Sequence, residues 1–270
     1  MFHVKHLLLK SELMGRIIAV VNQKGGVGKT TTAINLSASL AVKGRRVLLI
    51  DFDPQGMATA GLGYPKKSGR GIYAVLMNGA NLMDQLQPTG VDNFYLCPCS
   101  PELTGFEAEV FSEKDREKRL RLALSPIKNK FHYIFIDCPP SLSFLTINAM
   151  TAADSILIPI QTEFFCMEGI PDLLRTLDEV RRTLNPTLMI EGILLTMYDE
   201  RTNLAKQVAE EIRASLPHIT YEVIIPRTVK LAEAPSFGRP ILLYDIKSKG
   251  AQAYLNLAGE LIKHEKESFR

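Results

Sequence analysis

The sequence predicts a single α/β domain in which a mostly parallel, twisted sheet is covered by helices on both faces. Three observations lead there. Apolar, strand-sized runs recur at residues 17–21, 47–50, 133–136, 156–160, 190–195 and 222–225, with helical patterns between most of them, which is the mark of strand–helix–strand units whose sheet is buried on both sides. The first run passes directly into the glycine-rich stretch KGGVGKTTT, residues 24–32. The chemically distinctive blocks directly follow strands, and open α/β sheets bind ligands at the carboxyl ends of their strands.

At 270 residues the chain is long enough for one large buried core. No composition break marks a linker, no internal repeat is visible, and no stretch reaches the length of a membrane span. The net charge is only +3, but five basic residues (Arg227, Lys230, Arg239, Lys247, Lys249) face two acidic ones (Glu233, Asp245) near the C-terminus. Such an excess suits a phosphate backbone, although charge alone does not separate it from a solvated face. Cys97, Cys99, Cys138 and Cys166 form no paired C-x-x-C set and the five histidines are dispersed. Zinc and disulfides are therefore not expected, and reduced thiols are.

Taken in order, the run at 17–21 is a buried strand feeding a phosphate-binding turn. Gly25, Gly26 and Gly28 let backbone N–H groups turn inward around Val27, Lys29 supplies a cation, and Thr30 supplies a hydroxyl for Mg²⁺, with Thr31 opening the helix. The expected ligand is a nucleoside triphosphate. Position 23, where G-x-x-x-x-G-K-[ST] calls for glycine, holds Gln23, and a second lysine, Lys24, follows. Since Lys29 already serves the bound phosphates, Lys24 has a physical use in leaving its own loop to neutralise the phosphates of a facing subunit, as an arginine finger does. Self-association would then depend on nucleotide.

The run at 47–50 closes on Asp51 and Asp53, which alternation along a strand would aim to the same side. The run at 133–136 closes on Asp137, a carboxylate placed to orient Mg²⁺ or its water opposite Thr30, with Pro139 and Pro140 setting a rigid turn. Leu204, Val208, Ile212 and Leu216 recur every four residues and give one helix an apolar stripe against the sheet. After a last strand at 222–225, Tyr254, Leu255, Leu257, Leu261 and Ile262 indicate a core-packed C-terminal helix with a frayed end. No Ser, His or Glu arrangement points to a covalent nucleophile, and phosphoryl transfer to water needs none.

The blocks DFDPQG (51–56), FIDCPPS (135–141), LTINAMTAAD (145–154) and IPRTVKLAEAPSFGRPILLYD (225–245), in this order after a Lys24-bearing loop, resemble the ParA/Soj chromosome and plasmid partitioning ATPases of the deviant Walker A group. The resemblance runs from Met14 to about Leu261. It implies a P-loop ATPase domain over 14–270 that binds ATP and Mg²⁺, hydrolyses ATP slowly, and dimerises on ATP through Lys24. It further implies that Asp53 polarises the attacking water, that Thr30, Asp53 and Asp137 serve the metal, and that Pro226 and Arg227 frame adenine. Arg201 and Lys230, extended by Lys247 and Lys249, would meet double-stranded DNA without sequence preference. A ParB-type centromere-binding protein would stimulate turnover, and the location would be cytoplasmic, on the nucleoid.

Residues 1–13 precede the resemblance and read as a non-structural extension or a misassigned start. The codons ATG TTT CAC GTG AAA CAT would encode residues 1–6 as a perfect inverted repeat, whose centre resembles the DNA site bound by the ParB partner. Met14 is then the expected start. The alternative function is a membrane-cycling MinD-type ATPase that positions division components, but the tail after Ile262 mixes acidic and basic charge, which suits anionic lipid poorly. A metal-cluster reductase is disfavoured by the cysteine spacing.

Overall fold

A computed structural model describes residues 15–163 and 169–268, with side chains as far as residue 265. The expectations for residues 1–13 and for Cys166 lie outside the described residues. The sheet has seven strands: β1 (Arg16–Val20), β2 (Val47–Asp51), β3 (Gln87–Pro88), β4 (Phe94–Cys97), β5 (Tyr133–Asp137), β6 (Ser155–Gln161) and β7 (Met189–Thr196). Their order is β3-β4-β2-β5-β1-β6-β7, and all neighbours are parallel except β3 and β4. Strands β2, β5 and β6 are buried along their whole length. This is why they read as unbroken apolar runs without a polar face.

Eleven α-helices are described: α1 (Lys29–Val42), α2 (Met57–Gly61), α3 (Gly71–Asn78), α4 (Phe106–Glu109), α5 (Arg119–Leu124), α6 (Phe144–Ala152), α7 (Ile170–Thr183), α8 (Asn203–Ser215), α9 (Val229–Glu233), α10 (Ile241–Tyr244) and α11 (Lys249–Ser268). Alternation along β1 sends Ile18 and Val20 to one face, with α1 and α11, and Ile17 and Ala19 to the other, with α5, α6, α7 and α8.

Three expectations are corrected. The four-residue β4 and two-residue β3 are present although no run announced them. On α8 the buried side chains are Ala205, Val208, Ala209 and Ile212, whereas Leu204 is 45% exposed; the stripe runs through the small residues beside it. The segment 222–225 is not a regular strand. It follows the edge of β7 through Tyr221 N to Ile193 O (2.9 Å), Ile225 N to Leu195 O (2.9 Å) and Tyr198 N to Ile225 O (3.1 Å). Between those contacts, Glu222 N and Val223 N donate instead to the Glu260 carboxylate on α11, at 2.7 and 3.1 Å. A side chain has taken the donors that a ladder would need.

Helix α11 is core-packed as expected. Ala251, Tyr254, Leu257, Ala258 and Leu261 are buried with residues of α1, and the Tyr254 and Thr32 hydroxyls meet at 3.1 Å. Leu257→Ala is expected to lower unfolding free energy by about 2–5 kcal/mol, read from urea denaturation; an unchanged midpoint would mean that this face does not support the core.

Candidate nucleotide and magnesium site

The loop between β1 and α1 is shaped by two glycines. Gly26 (φ 76°) and Gly28 (φ 88°) lie in the left-handed region that side chains resist. Gly25 does not, and a Cβ there would meet only the Pro140 Cβ at 3.9 Å, so its part is openness and not conformation. Gly28 caps α1 with no side chain over the first turn, which leaves that turn's N–H groups available to an anion. The Thr196 hydroxyl donates to Val27 O at 2.8 Å, tying the loop to the end of β7.

The two lysines of the loop differ in setting. Lys29 is buried, and its ammonium donates to Lys24 O at 3.0 Å. Burial lowers its pKa, while the Asp137, Cys138 and Asp53 charges pull it back up. The Lys24 side chain is 41% exposed, with its ammonium 3.9 Å from Glu163. It does not line the cleft that contains Lys29. Gln23, the departure from the ordinary motif, donates to Gly169 O at 3.1 Å, so the glycine it replaces would have lost a tie between this loop and the entry to α7.

Three carboxylates gather at the ends of β2 and β5. Asp51 and Asp137 are cross-strand partners in the register. Asp51 is sealed inside: the Thr59 N–H and hydroxyl both donate to its Oδ2 at 2.6 Å, and burial pushes its pKa up to about 6. Because β2 ends at Asp51, strand alternation does not carry on to Asp53, which instead lines the cleft and accepts from Gln55 N at 2.9 Å. The expectation that the pair would face one way is corrected accordingly. Asp137 is fully buried, and among the described residues neither carboxylate oxygen has a partner at full hydrogen-bond geometry, although the Thr30 hydroxyl is near enough to favour its charged form. Burial first, then the charge of Asp51, raise its pKa well above the usual range, while the nearby Thr30 hydroxyl and Lys29 ammonium oppose the rise.

A buried carboxylate with two idle oxygens, a neighbouring threonine hydroxyl and a second carboxylate form an all-oxygen donor set. That set fits Mg²⁺, which takes few protein ligands and completes its shell with phosphate and water. Among the described residues no group of three or more His, Cys, Asp or Glu side chains forms a self-sufficient metal cage. Cys97, Cys99 and Cys138 are free and buried, and burial pushes all three thiols up.

Two clefts meet at Gly28, Thr31 and Met197. One, of about 630 Å³, holds Gly26, Lys29, Thr30, Asp53 and Pro140, with Ser236 and Arg239 on its rim. The other, of about 310 Å³, is lined by Thr196, Pro226, Arg227, Leu231 and Tyr254. A nucleotide laid across Gly28 would have phosphates in the first and base in the second. Met197, at φ 53°, was not singled out from sequence, and Tyr254 was named there only as a core residue of the C-terminal helix.

The four basic residues expected to meet DNA lie at one edge. Lys249 reaches Glu200 at 3.2 Å, beside Arg201. Gly250 sits so close to Leu231 that a Cβ would fall 2.7 Å from its Cγ, which brings the start of α11 against α9 and Lys230. Lys247 is exposed in the turn before α11. The Arg227 guanidinium is exposed and lies 3.5 Å from Glu163, although its residue also lines the second cleft.

A family model described as an AAA domain matches residues 15–190. The chromosome partitioning protein ParA of Myxococcus xanthus is 53% identical over 93% of this chain and 89% of its own length. The sporulation initiation inhibitor protein Soj of Bacillus subtilis is 51% identical over 92% and 98%. The chain belongs to the ParA/Soj family of chromosome-partitioning ATPases. Among solved structures, the Mycobacterium smegmatis cobyrinic acid a,c-diamide synthase with bound ADP and magnesium is 37% identical, covers 94% of this chain and 97% of its own, and superposes with a TM-score of 0.83. The Pyrococcus furiosus cell division ATPase MinD is 30% identical over 93% and 100%, with a TM-score of 0.77. The ParA/Soj chains thus share half of their residues with this one, and the fold is shared more widely among P-loop proteins.

Proposed function

We propose that this chain is a Mg²⁺-dependent ATPase that dimerises on ATP, binds DNA without sequence preference, and drives DNA segregation with a ParB-type partner on the nucleoid. The observation that carries it is the division of labour between the two loop lysines. Lys29 is committed to the cradle of its own chain; the Lys24 side chain is half-exposed, outside that cradle, and among the described residues is restrained by a long ion pair alone.

In this reading the loop N–H groups and Lys29 hold the phosphates, Thr31 and the segment at Pro226 and Arg227 border the base, and Thr30, Asp53 and Asp137 hold Mg²⁺ directly or through its waters. The metal, when bound, neutralises charge that develops on the phosphoryl oxygens. Asp53 lines the cleft and orients the attacking water. Lys24 of each protomer crosses to the phosphates of the other, so the reaction centre is complete only in the dimer. Turnover by the free protomer is correspondingly slow, and hydrolysis returns the dimer to separate protomers.

The MinD-type alternative needs a C-terminal helix with an apolar face available to lipid. The apolar face of α11 is already used by the core, which favours DNA over membrane. The test is DNA binding by the wild type and by Lys230→Glu with ATP, with ADP and without nucleotide. Tight binding is expected with ATP only, falling steeply with salt, and weakened about tenfold or more by the charge reversal. Equal binding in all three states would contradict the switch, and ATP-dependent sedimentation with liposomes in place of DNA would favour the MinD-type reading.

A further inference from the structure

The four cations that would meet DNA, and Arg227 beside them, are nearly all occupied within this chain. Arg201 makes a two-pronged pair with Asp199, at 2.8 and 2.7 Å. Lys249 pairs with Glu200 at 3.2 Å, Lys230 with Glu233 at 3.7 Å, and Arg227 with Glu163 at 3.5 Å. Lys247 alone of the five has no carboxylate partner among the described residues, and its backbone N–H is held by Asp245 at 3.1 Å. The basic excess of three counted along residues 227–249 shrinks to one in space when Arg201 is included, because Glu163, Asp199 and Glu200 come in from other parts of the chain. Six basic residues, with Arg239 at the first cleft, then stand against five acidic ones, Glu163, Asp199, Glu200, Glu233 and Asp245.

Building on the DNA-binding reading above, we propose that Asp199, Glu200 and Glu233 are internal phosphate mimics that hold the DNA-contacting cations in the single protomer. DNA must displace these carboxylates or tolerate them beside its own charge. A cation that exchanges a carboxylate for a phosphate contributes little net counterion release, and counterion release is the main source of nonspecific affinity. One protomer then binds DNA weakly, and two joined patches are needed for retention. The acids set the threshold that makes dimerisation decisive.

The test compares the wild type with Glu200→Gln/Glu233→Gln and, separately, Asp199→Asn, by fluorescence anisotropy on a random-sequence duplex over a salt series, with and without ATP. Glu200 is 72% exposed on its side chain, so the amide does not threaten folding. Asp178→Asn/Glu179→Gln, two exposed acids on α7, changes the net charge equally at a distance. The double variant at the patch is expected to bind about three- to tenfold more tightly without nucleotide, with a salt dependence steeper by about one to two phosphate contacts. The α7 control should match the wild type. Unchanged affinity and slope in the patch variants, or an equal gain in the α7 control, would overturn the inference while leaving ATP-dependent DNA binding intact. Absence of DNA binding by the wild type in every nucleotide state would overturn the parent reading, and this one with it.

Discussion

Asp53→Ala is expected to cut ATP turnover by about 10²-fold or more while leaving ATP binding and ATP-dependent dimerisation in place. Asp53 lines the cleft without entering the phosphate cradle, and its visible contact is local, from Gln55 N. Its loss therefore removes the group that orients water and one of the oxygen donors serving the metal, while the loop, Lys29, Thr30 and Asp137 stay in place. The variant should accumulate as an ATP-loaded dimer, seen by light scattering, with turnover measured by phosphate release. Asp51→Ala should behave differently. Asp51 accepts two hydrogen bonds from Thr59 inside the core, and leaving those donors unpaired costs stability, about 1–3 kcal/mol for each unsatisfied group, which would appear in denaturation.

Lys24→Ala is the second large effect. Among the described residues its ammonium makes one exposed ion pair, at 3.9 Å, and such pairs are worth little to folding. The substitution should leave the melting temperature and monomer ATP affinity close to wild type. Dimerisation on ATP should be lost, and turnover should fall about 10³-fold, in the range measured when a cation supplied from outside a site is removed. Lys29→Ala would separate the roles, since it should abolish nucleotide binding by the monomer itself.

Much of this site was legible before any coordinates because its parts are local. A buried strand, a glycine turn and a helix start are contiguous in residues 16–42, and Asp137 closes a strand that is apolar along its length. The unusual Lys24 stood out against a known spacing. What was not legible depends on contacts across the chain. The strand expected at 222–225 was diverted by Glu260, 37 or more residues away. β4 is only four residues long and takes its place from pairing with β2. The second cleft is assembled from the ends of β7, α9 and α11, so Met197 had no local signal and Tyr254 read only as a core residue. The charge excess near the C-terminus was overstated for the same reason: the carboxylates that offset most of it come from residues 163, 199 and 200.

The central claim is that each protomer lends Lys24 to the other, and mixing two inactive variants tests it most directly. Lys24→Ala protomers retain a complete set of groups in their own cleft, and Asp53→Ala protomers retain Lys24. If Lys24 acts across the interface, an equimolar mixture with ATP should regain turnover well above that of either variant, because a mixed dimer has one site with both Asp53 and an incoming Lys24; the weak pairing of Lys24→Ala keeps it below the roughly one quarter of wild type that random pairing would give. If Lys24 acts within its own chain, both sites of the mixed dimer are defective, and a mixture no more active than its components would contradict the account.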